Sequence, residues 1–298
     1  MAEPPATPPD SAAHTGGAPS DSAAHTGGTH AGLPPQGRYY LLPYAGGGPA
    51  AYRPLTDHWA ARPDHSPAVV PLAWRSGTYL GTGGLRALAD DLAGRVAADL
   101  RLRPGLRYGL FGHSMGALVA YETAVALARL DCPAPAVLAV SGRVAPQYGY
   151  RAAVDPQEPE STAEYLRSCG GALAEAAADP EFVELVRERL RDDVLLGAGH
   201  THRERPPLPV PVVAFGGRDD PLAAHAEMAG WLRHGADSGR LWLFPGGHWF
   251  LWDHVPAVAA RLEEALRAAP ATASAPTHGE TAKSPAEYRD SFPEGNRA

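Results

Sequence analysis

Five residues, Gly112-His113-Ser114-Met115-Gly116, constrain this chain more than any others. The apolar run YGLF leads into them and reads as a buried strand, while ALVAYETAVALARL follows and reads as a helix. A serine flanked by glycines at such a junction sits on a tight strand-to-helix turn. Its hydroxyl stands above the edge of the sheet, with the start of a helix beneath it. The backbone N–H of Met115 then points at whatever the serine attacks.

The rest of the chain supplies a sheet for that turn. Short apolar runs occur at Arg38–Pro43, Ala68–Leu72, Tyr108–Gly112, Ala136–Ser141, Val210–Phe215 and Arg240–Phe244. Most do not alternate with polar residues, as expected of strands buried on both faces. Between them, Leu85, Leu88, Leu92, Val96 and Leu100 recur at helical spacing, as do Val255, Val258, Leu262 and Leu266. Strands alternating with helices imply a mostly parallel central sheet covered by helices on both faces. This is the α/β class, and with the serine turn it predicts an α/β-hydrolase fold. Residues 160–200 interrupt the rhythm with two helical patterns, Thr162–Cys169 and Pro180–Leu195, and no strand between them. They are expected to form a helical lid.

A serine is a weak nucleophile unless a base takes its proton, and the base must itself be oriented. In this class of turn the acid and the histidine follow the serine in chain order. After VPVVAF comes Gly216-Gly217-Arg218-Asp219-Asp220-Pro221, and after RLWLF comes Pro245-Gly246-Gly247-His248-Trp249. Both segments fall at the C-terminal ends of strands, where open α/β sheets place their sites. The predicted catalytic residues are therefore Ser114, Asp220 and His248. Asp220 is preferred to Asp219 because Pro221 fixes the turn just beyond it. The loop after the first strand, Pro43-Tyr44-Ala45-Gly46-Gly47-Gly48, is small enough for its amides to approach a developing oxyanion. It lacks the lysine of a phosphate-binding loop, and the only lysine in the chain is Lys283. His113 is expected to pack in the turn and His254 to cap the final helix. His200 and His202 have metal-like spacing but no third ligand nearby, so no metal is expected.

Composition narrows the class further. The chain has 298 residues, with 26 Lys plus Arg against 33 Asp plus Glu, a net charge of −7. An acidic balance argues against a nucleic-acid partner. No apolar run reaches the roughly 18 residues of a membrane span, and the N-terminus has no signal-peptide pattern, so a cytoplasmic protein with no membrane partner is expected. Two cysteines, Cys132 and Cys169, do not make a disulfide framework. The 31 Pro and 33 Gly together exceed a fifth of the chain, which would suit disorder. Residues 1–36 hold seven Pro, five Gly and a repeated DSAAHTGG, with only Met1 and Leu33 among the larger apolar types. They are expected to form a disordered leader and residues 270–298 a flexible tail. The predicted domain is 37–269, with the lid at about 160–200.

Four segments, LLPYAGGGPAAYRPL, YGLFGHSMGALVAYETA, VVAFGGRDDPLAA and LWLFPGGHWFL, resemble the type II thioesterases of polyketide and nonribosomal peptide biosynthesis. The resemblance runs from Arg38 to Leu266. It implies Ser114 as nucleophile, His248 as base and Asp220 as acid, with the Ala45 and Met115 amides forming the oxyanion hole. It implies a substrate, an acyl or aminoacyl thioester on the phosphopantetheine arm of a carrier protein, and no cofactor. Where the family carries a Pro-Gly-Arg-rich loop after its second strand, this chain reads Val70-Pro71-Leu72-Ala73-Trp74-Arg75-Ser76-Gly77-Thr78-Tyr79. Trp74 either alters a pocket or covers the sheet edge. Tyr44, Trp74 and Trp249 are the candidate substrate-binding side chains.

The same triad also suits an acyltransferase or cyclase, in which another nucleophile replaces water, or a carboxylesterase. A non-catalytic binding module is disfavoured because the triad is intact. The partner is expected to be an acyl or peptidyl carrier protein, and the enzyme a monomer. Carrier proteins are commonly acidic, so Arg53, Arg75, Arg203 and Arg205 are candidates for a basic docking patch.

Overall fold

The computed structural model describes residues 37–62 and 66–268. The expected leader and tail lie outside these residues. The strands are β1 (Arg38–Leu42), β2 (Ala68–Pro71), β3 (Tyr108–His113), β4 (Val137–Ser141), β5 (Pro211–Gly217) and β6 (Ala236–Phe244). They form one sheet in the order β2-β1-β3-β4-β5-β6, and every neighbouring pair is parallel. All six expected strands are present, with ends displaced by a few residues.

Alternate residues of each strand enter opposite cores. Tyr40 and Leu42 of β1, Leu138 and Val140 of β4, and Val212 and Ala214 of β5 face one layer. Tyr39 and Leu41, Val137 and Ala139, and Val213 and Phe215 face the other. The first layer is covered by α2 (Gly84–Arg101) and α3 (Met115–Leu127), the second by α1 (Arg53–Ala60) and α9 (Val255–Ala268). The leucines predicted to line α2 are all buried. Each such side chain contributes about 1.5–3 kcal/mol by leaving water. Helix α3 is buried almost all round, which explains why its sequence carries no polar face.

Two short helices, α7 (His225–Ala229) and α8 (Phe250–Asp253), follow β5 and β6. The segment expected as a lid contains three helices, α4 (Pro159–Cys169), α5 (Gly171–Ala176) and α6 (Pro180–Ala198). Both long ones begin where proline supplies the helical φ without needing a hydrogen bond. Asp179 caps α6, its side chain accepting from the amides of Glu181 and Phe182 at 2.9 and 3.4 Å. Helix α5 was not anticipated from its alanine-rich sequence; none of its residues is buried, so no apolar periodicity marks it.

Candidate active site

Ser114 joins β3 to α3 with φ 54° and ψ −121°. Among the described residues no other non-glycine has positive φ. Holding a serine there costs roughly 1–3 kcal/mol, a cost that persists only where surrounding contacts enforce it. Those contacts are visible. A Cβ on Gly112 would lie 2.0 Å from the Gly116 carbonyl oxygen, and a Cβ on Gly116 would lie 2.0 Å from the Leu42 carbonyl oxygen. Only glycine lets α3 come down this close to β3 and β1. The Ser114 amide donates to the Ser141 carbonyl at 2.8 Å, tying the turn to β4. Tyr52, from the loop before α1, accepts from the His113 amide at 2.8 Å and donates to the Leu42 carbonyl at 2.7 Å.

Asp220 and His248 meet at the same edge of the sheet. The His248 Nδ1–H donates to Asp220 Oδ2 at 2.8 Å, and the Leu222 amide donates to Oδ1 at 2.9 Å. The Asp220 side chain is fully buried, while Asp219 is exposed. Of the two aspartates, Asp220 is the one that meets His248. Backbone bonds join the two loops, Arg218 N to Phe244 O at 2.8 Å and Asp219 N to Gly246 O at 3.0 Å. A Cβ on Gly217 would lie 2.2 Å from the Gly247 carbonyl oxygen, so that glycine is required for the two loops to touch. With Nδ1 engaged, His248 Nε2 is the free ring position, buried and without a partner among the described residues.

His113 packs under this pair, as expected. Its ring lies 4.8 Å from that of His248 and its Nδ1 bonds Ser141 Oγ at 2.9 Å. Burial, with the neighbouring His248 next in importance, holds its pKa well below the usual imidazole value. His113 therefore stays neutral and places no second cation beside His248. Tyr44 and Trp249 close the same space, their rings 4.7 Å apart and near perpendicular. Trp249 Nε1 reaches out of the site to Ser168 Oγ of α4 at 2.9 Å. Burial pushes the nearby Cys169 thiol up to about 12, so it carries no thiolate at neutral pH.

Trp74 lies apart from this group. It borders a cleft of about 750 Å³ with Pro49, Arg75, Leu185, Arg189 and Asp192, between the β2 loop and α6. Its Nε1 donates to Ser76 Oγ at 3.1 Å. Arg53 is exposed and pairs with Asp57 at 3.5 Å, and Arg75 and Arg203 are exposed. Arg205 turns inward to Glu122 at 3.2 Å, where His200 Nε2 also bonds Glu122 at 2.8 Å. His200 is thus a partner of a buried carboxylate. No group of three or more possible metal ligands occurs among the described residues. His254 stands just before α9, its carbonyl accepting from the Val258 amide at 2.9 Å, while its ring turns back to the Pro245 carbonyl at 3.1 Å.

Three contacts were not anticipated. Tyr165 of α4 donates to the Ala45 carbonyl at 2.8 Å, Asp193 of α6 accepts from the Gly46 amide at 2.6 Å, and Arg189 of α6 donates to the Gly47 carbonyl at 2.6 Å. One signal for Asp193 was present in the sequence. It lies in phase with Val183, Leu190 and Gly197, on the side of α6 that is otherwise apolar and buried.

Ser114 and the Asp220–His248 pair reach the carboxyl edge of one parallel sheet from the ends of β3, β5 and β6, an arrangement that places the protein among the α/β-hydrolases. Within that class the chain belongs to the thioesterase domain family, whose model matches residues 38–266, and it is a thioester-hydrolysing enzyme. It is 26% identical to the gramicidin S biosynthesis protein GrsT of Aneurinibacillus migulanus over 72% of this chain and 83% of that one. It spans 64% and 52% of the lengths of two further curated relatives. The structure resembles RedJ, a thioesterase of the prodiginine pathway of Streptomyces coelicolor, with a TM-score of 0.64 and 30% identity, covering 78% of this chain and 86% of that one. It also resembles BorB, a type II thioesterase from the borrelidin biosynthetic cluster, with a TM-score of 0.60 and 28% identity, covering 77% and 92%.

Proposed function

We propose that the chain hydrolyses acyl or aminoacyl thioesters on the phosphopantetheine arm of a carrier protein, as a release or editing enzyme of natural-product biosynthesis. Ser114 Oγ attacks the thioester carbonyl carbon while His248 Nε2 takes its proton. Asp220 holds the imidazole with Nδ1 protonated and stabilises the imidazolium. The Met115 amide, at the head of α3 where no intrahelical acceptor exists, and the Ala45 amide stabilise the oxyanion. As the tetrahedral intermediate collapses, the C–S bond breaks and the pantetheine sulfur leaves with the proton from His248. Water, deprotonated by the same nitrogen, then attacks the acyl-serine, and the acid departs as Ser114 regains its proton. The residues present complete this sequence without a metal or cofactor.

The observation that carries the reading is the strained turn at Ser114 on the same carboxyl edge of the sheet as a buried Asp220–His248 pair, whose Nε2 has no hydrogen-bond partner among the described residues. Relatives named for gramicidin S, prodiginine and borrelidin biosynthesis support the carrier-bound substrate. Helices α4–α6 act as the lid over the acyl chamber, with Tyr44, Trp74 and Trp249 along the substrate's path. The enzyme works as a cytoplasmic monomer, with exposed Arg53, Arg75 and Arg203 available to an acidic carrier; no described helix is long and apolar enough to cross a membrane. Ser114→Ala is expected to abolish release of acid from an acyl-carrier thioester, followed by mass spectrometry, with an unchanged circular dichroism spectrum. Full activity in that variant would overturn the assignment.

A further inference from the structure

The loop proposed to supply the Ala45 amide is gripped at three consecutive residues by side chains of the lid. Tyr165 holds the Ala45 carbonyl, Asp193 the Gly46 amide and Arg189 the Gly47 carbonyl. Gly46 is left-handed, with φ 74°, and a Cβ there would lie 2.9 Å from Leu190 of α6. Loop and helix are therefore in van der Waals contact as well as hydrogen-bonded.

Asp193 is the centre of this grip. It is 4% exposed. Its Oδ2 accepts from Gly46 and its Oδ1 accepts from the hydroxyl of Ser76, which in turn accepts from Trp74 Nε1. A buried carboxylate is costly unless both oxygens find donors, and each donor here would otherwise be orphaned. Burial first, with Asp192 adding to it, raises its pKa, and the Ser76 hydroxyl, the Gly46 amide and Arg189 oppose that rise. The peptide between Ala45 and Gly46 is thus fixed from both sides, through its carbonyl by Tyr165 and through its N–H by Asp193. The Ala45 amide sits in the adjoining peptide plane, so holding this one leaves only φ and ψ of Ala45 to set its direction.

We propose that Asp193 is a positioning residue for the oxyanion loop, so that seating α6 against that loop and aiming the Ala45 amide are one event. The assignment rests on the reading of Ala45 and Ser114 given above. An amide aimed at the oxyanion acts on the transition state and leaves substrate binding alone. The lid helix therefore sets the rate of the chemical step in addition to shaping the chamber.

The test compares Asp193→Ala, Asp193→Asn and Ser76→Ala with the unmodified protein and Ser114→Ala. Hydrolysis of an acyl-carrier thioester gives kcat and KM. A trifluoromethyl ketone analogue of the acyl thioester, which adds to Ser114 as a tetrahedral alkoxide, reports the oxyanion site directly. Asp193→Ala should lower kcat by about 10- to 100-fold, leave KM within about twofold, and weaken the ketone by the same factor as kcat. Asp193→Asn keeps one acceptor oxygen and should recover part of the rate. Ser76→Ala should give the smallest loss. If Asp193→Ala does not fold, the Asn and Ser76 variants decide alone. Unchanged kcat in the folded variants, or a lower kcat with unchanged ketone affinity, would overturn the assignment. Hydrolysis surviving in Ser114→Ala would instead remove the reading on which it rests.

Discussion

The sheet edge and the helical cover above it are built by different means. At the edge, backbone lies against backbone: Gly112 and Gly116 let α3 touch β3 and β1, and Gly217 lets the Asp220 loop touch the His248 loop. In the cover, side chains do the holding, through Tyr165, Asp193, Arg189 and the Trp249–Ser168 bond. Helix α5 buries no residue, and Leu185 and Leu195 of α6 are 66% and 48% exposed. Contacts through backbone tolerate no graded change, because a methyl group either fits or does not. Contacts through side chains can be removed one at a time. The edge should therefore fail abruptly and the cover by degrees.

The sharpest way to break this contrast is at the acid. Asp220→Asn presents an amide N–H to His248 Nδ1 and favours the wrong tautomer. We expect kcat to fall by about 10⁴-fold with little change in KM, read in the carrier-thioester assay. A residual rate above one-tenth would mean another carboxylate orients His248. Next comes Gly116→Ala, whose Cβ would meet the Leu42 carbonyl oxygen at 2.0 Å. It should cost about 3 kcal/mol or more in urea unfolding. A loss below about 0.5 kcal/mol, within the range of an ordinary surface change, would show that α3 can lift without penalty and that the edge is less rigid than described. The Asp193 series should fall between these extremes, in activity and without collapse.

The smallest effect concerns the root of the cover, where the chain leaving α6 is held against α3. There His234 bonds Gln147 at 2.7 Å, and its ring lies 5.2 Å from that of His202. Burial first, then His202, Arg205 and Arg233, lowers the His234 pKa to about 4. In the unfolded chain it titrates near 6.5. Stability from holding it neutral is complete above pH 6.5 and is lost as pH falls from 6.5 towards 4. Buried His113 adds to this trend with the same sign. The melting temperature should fall by a few degrees between pH 7.5 and 5, and His234→Gln should make that slope shallower. An unchanged slope in the variant would show that His234 is not held neutral.

The same contrast explains how much was legible in the sequence. The six strands and the order of Ser114, Asp220 and His248 could be read because each depends on a few adjacent residues, an apolar run followed by a glycine turn. Asp193 could not be assigned a role that way, since its partner Gly46 lies 147 positions away. Arg205 looked like a surface cation in its loop, and only the folded chain reveals buried Glu122 behind it. Helix α5 left no periodicity to find because it packs against nothing deeply. Local chemistry was readable; pairings across the fold were not.

The register of β1 with β3 has a further consequence. Leu42 stands opposite Gly112, so each strand leaves the sheet one rung from the other. One exit becomes the loop of Ala45 and the other the turn of Ser114, and the phenol of Tyr52 bridges them. The proposed nucleophile and oxyanion amide thus lie on segments that part from a single rung of the ladder. That rung sets where the two loops begin, and the lid contacts at Ala45, Gly46 and Gly47 hold the first of them beyond it. Drift in the outer strands, in a homologue or in a warmed molecule, leaves that shared origin unmoved.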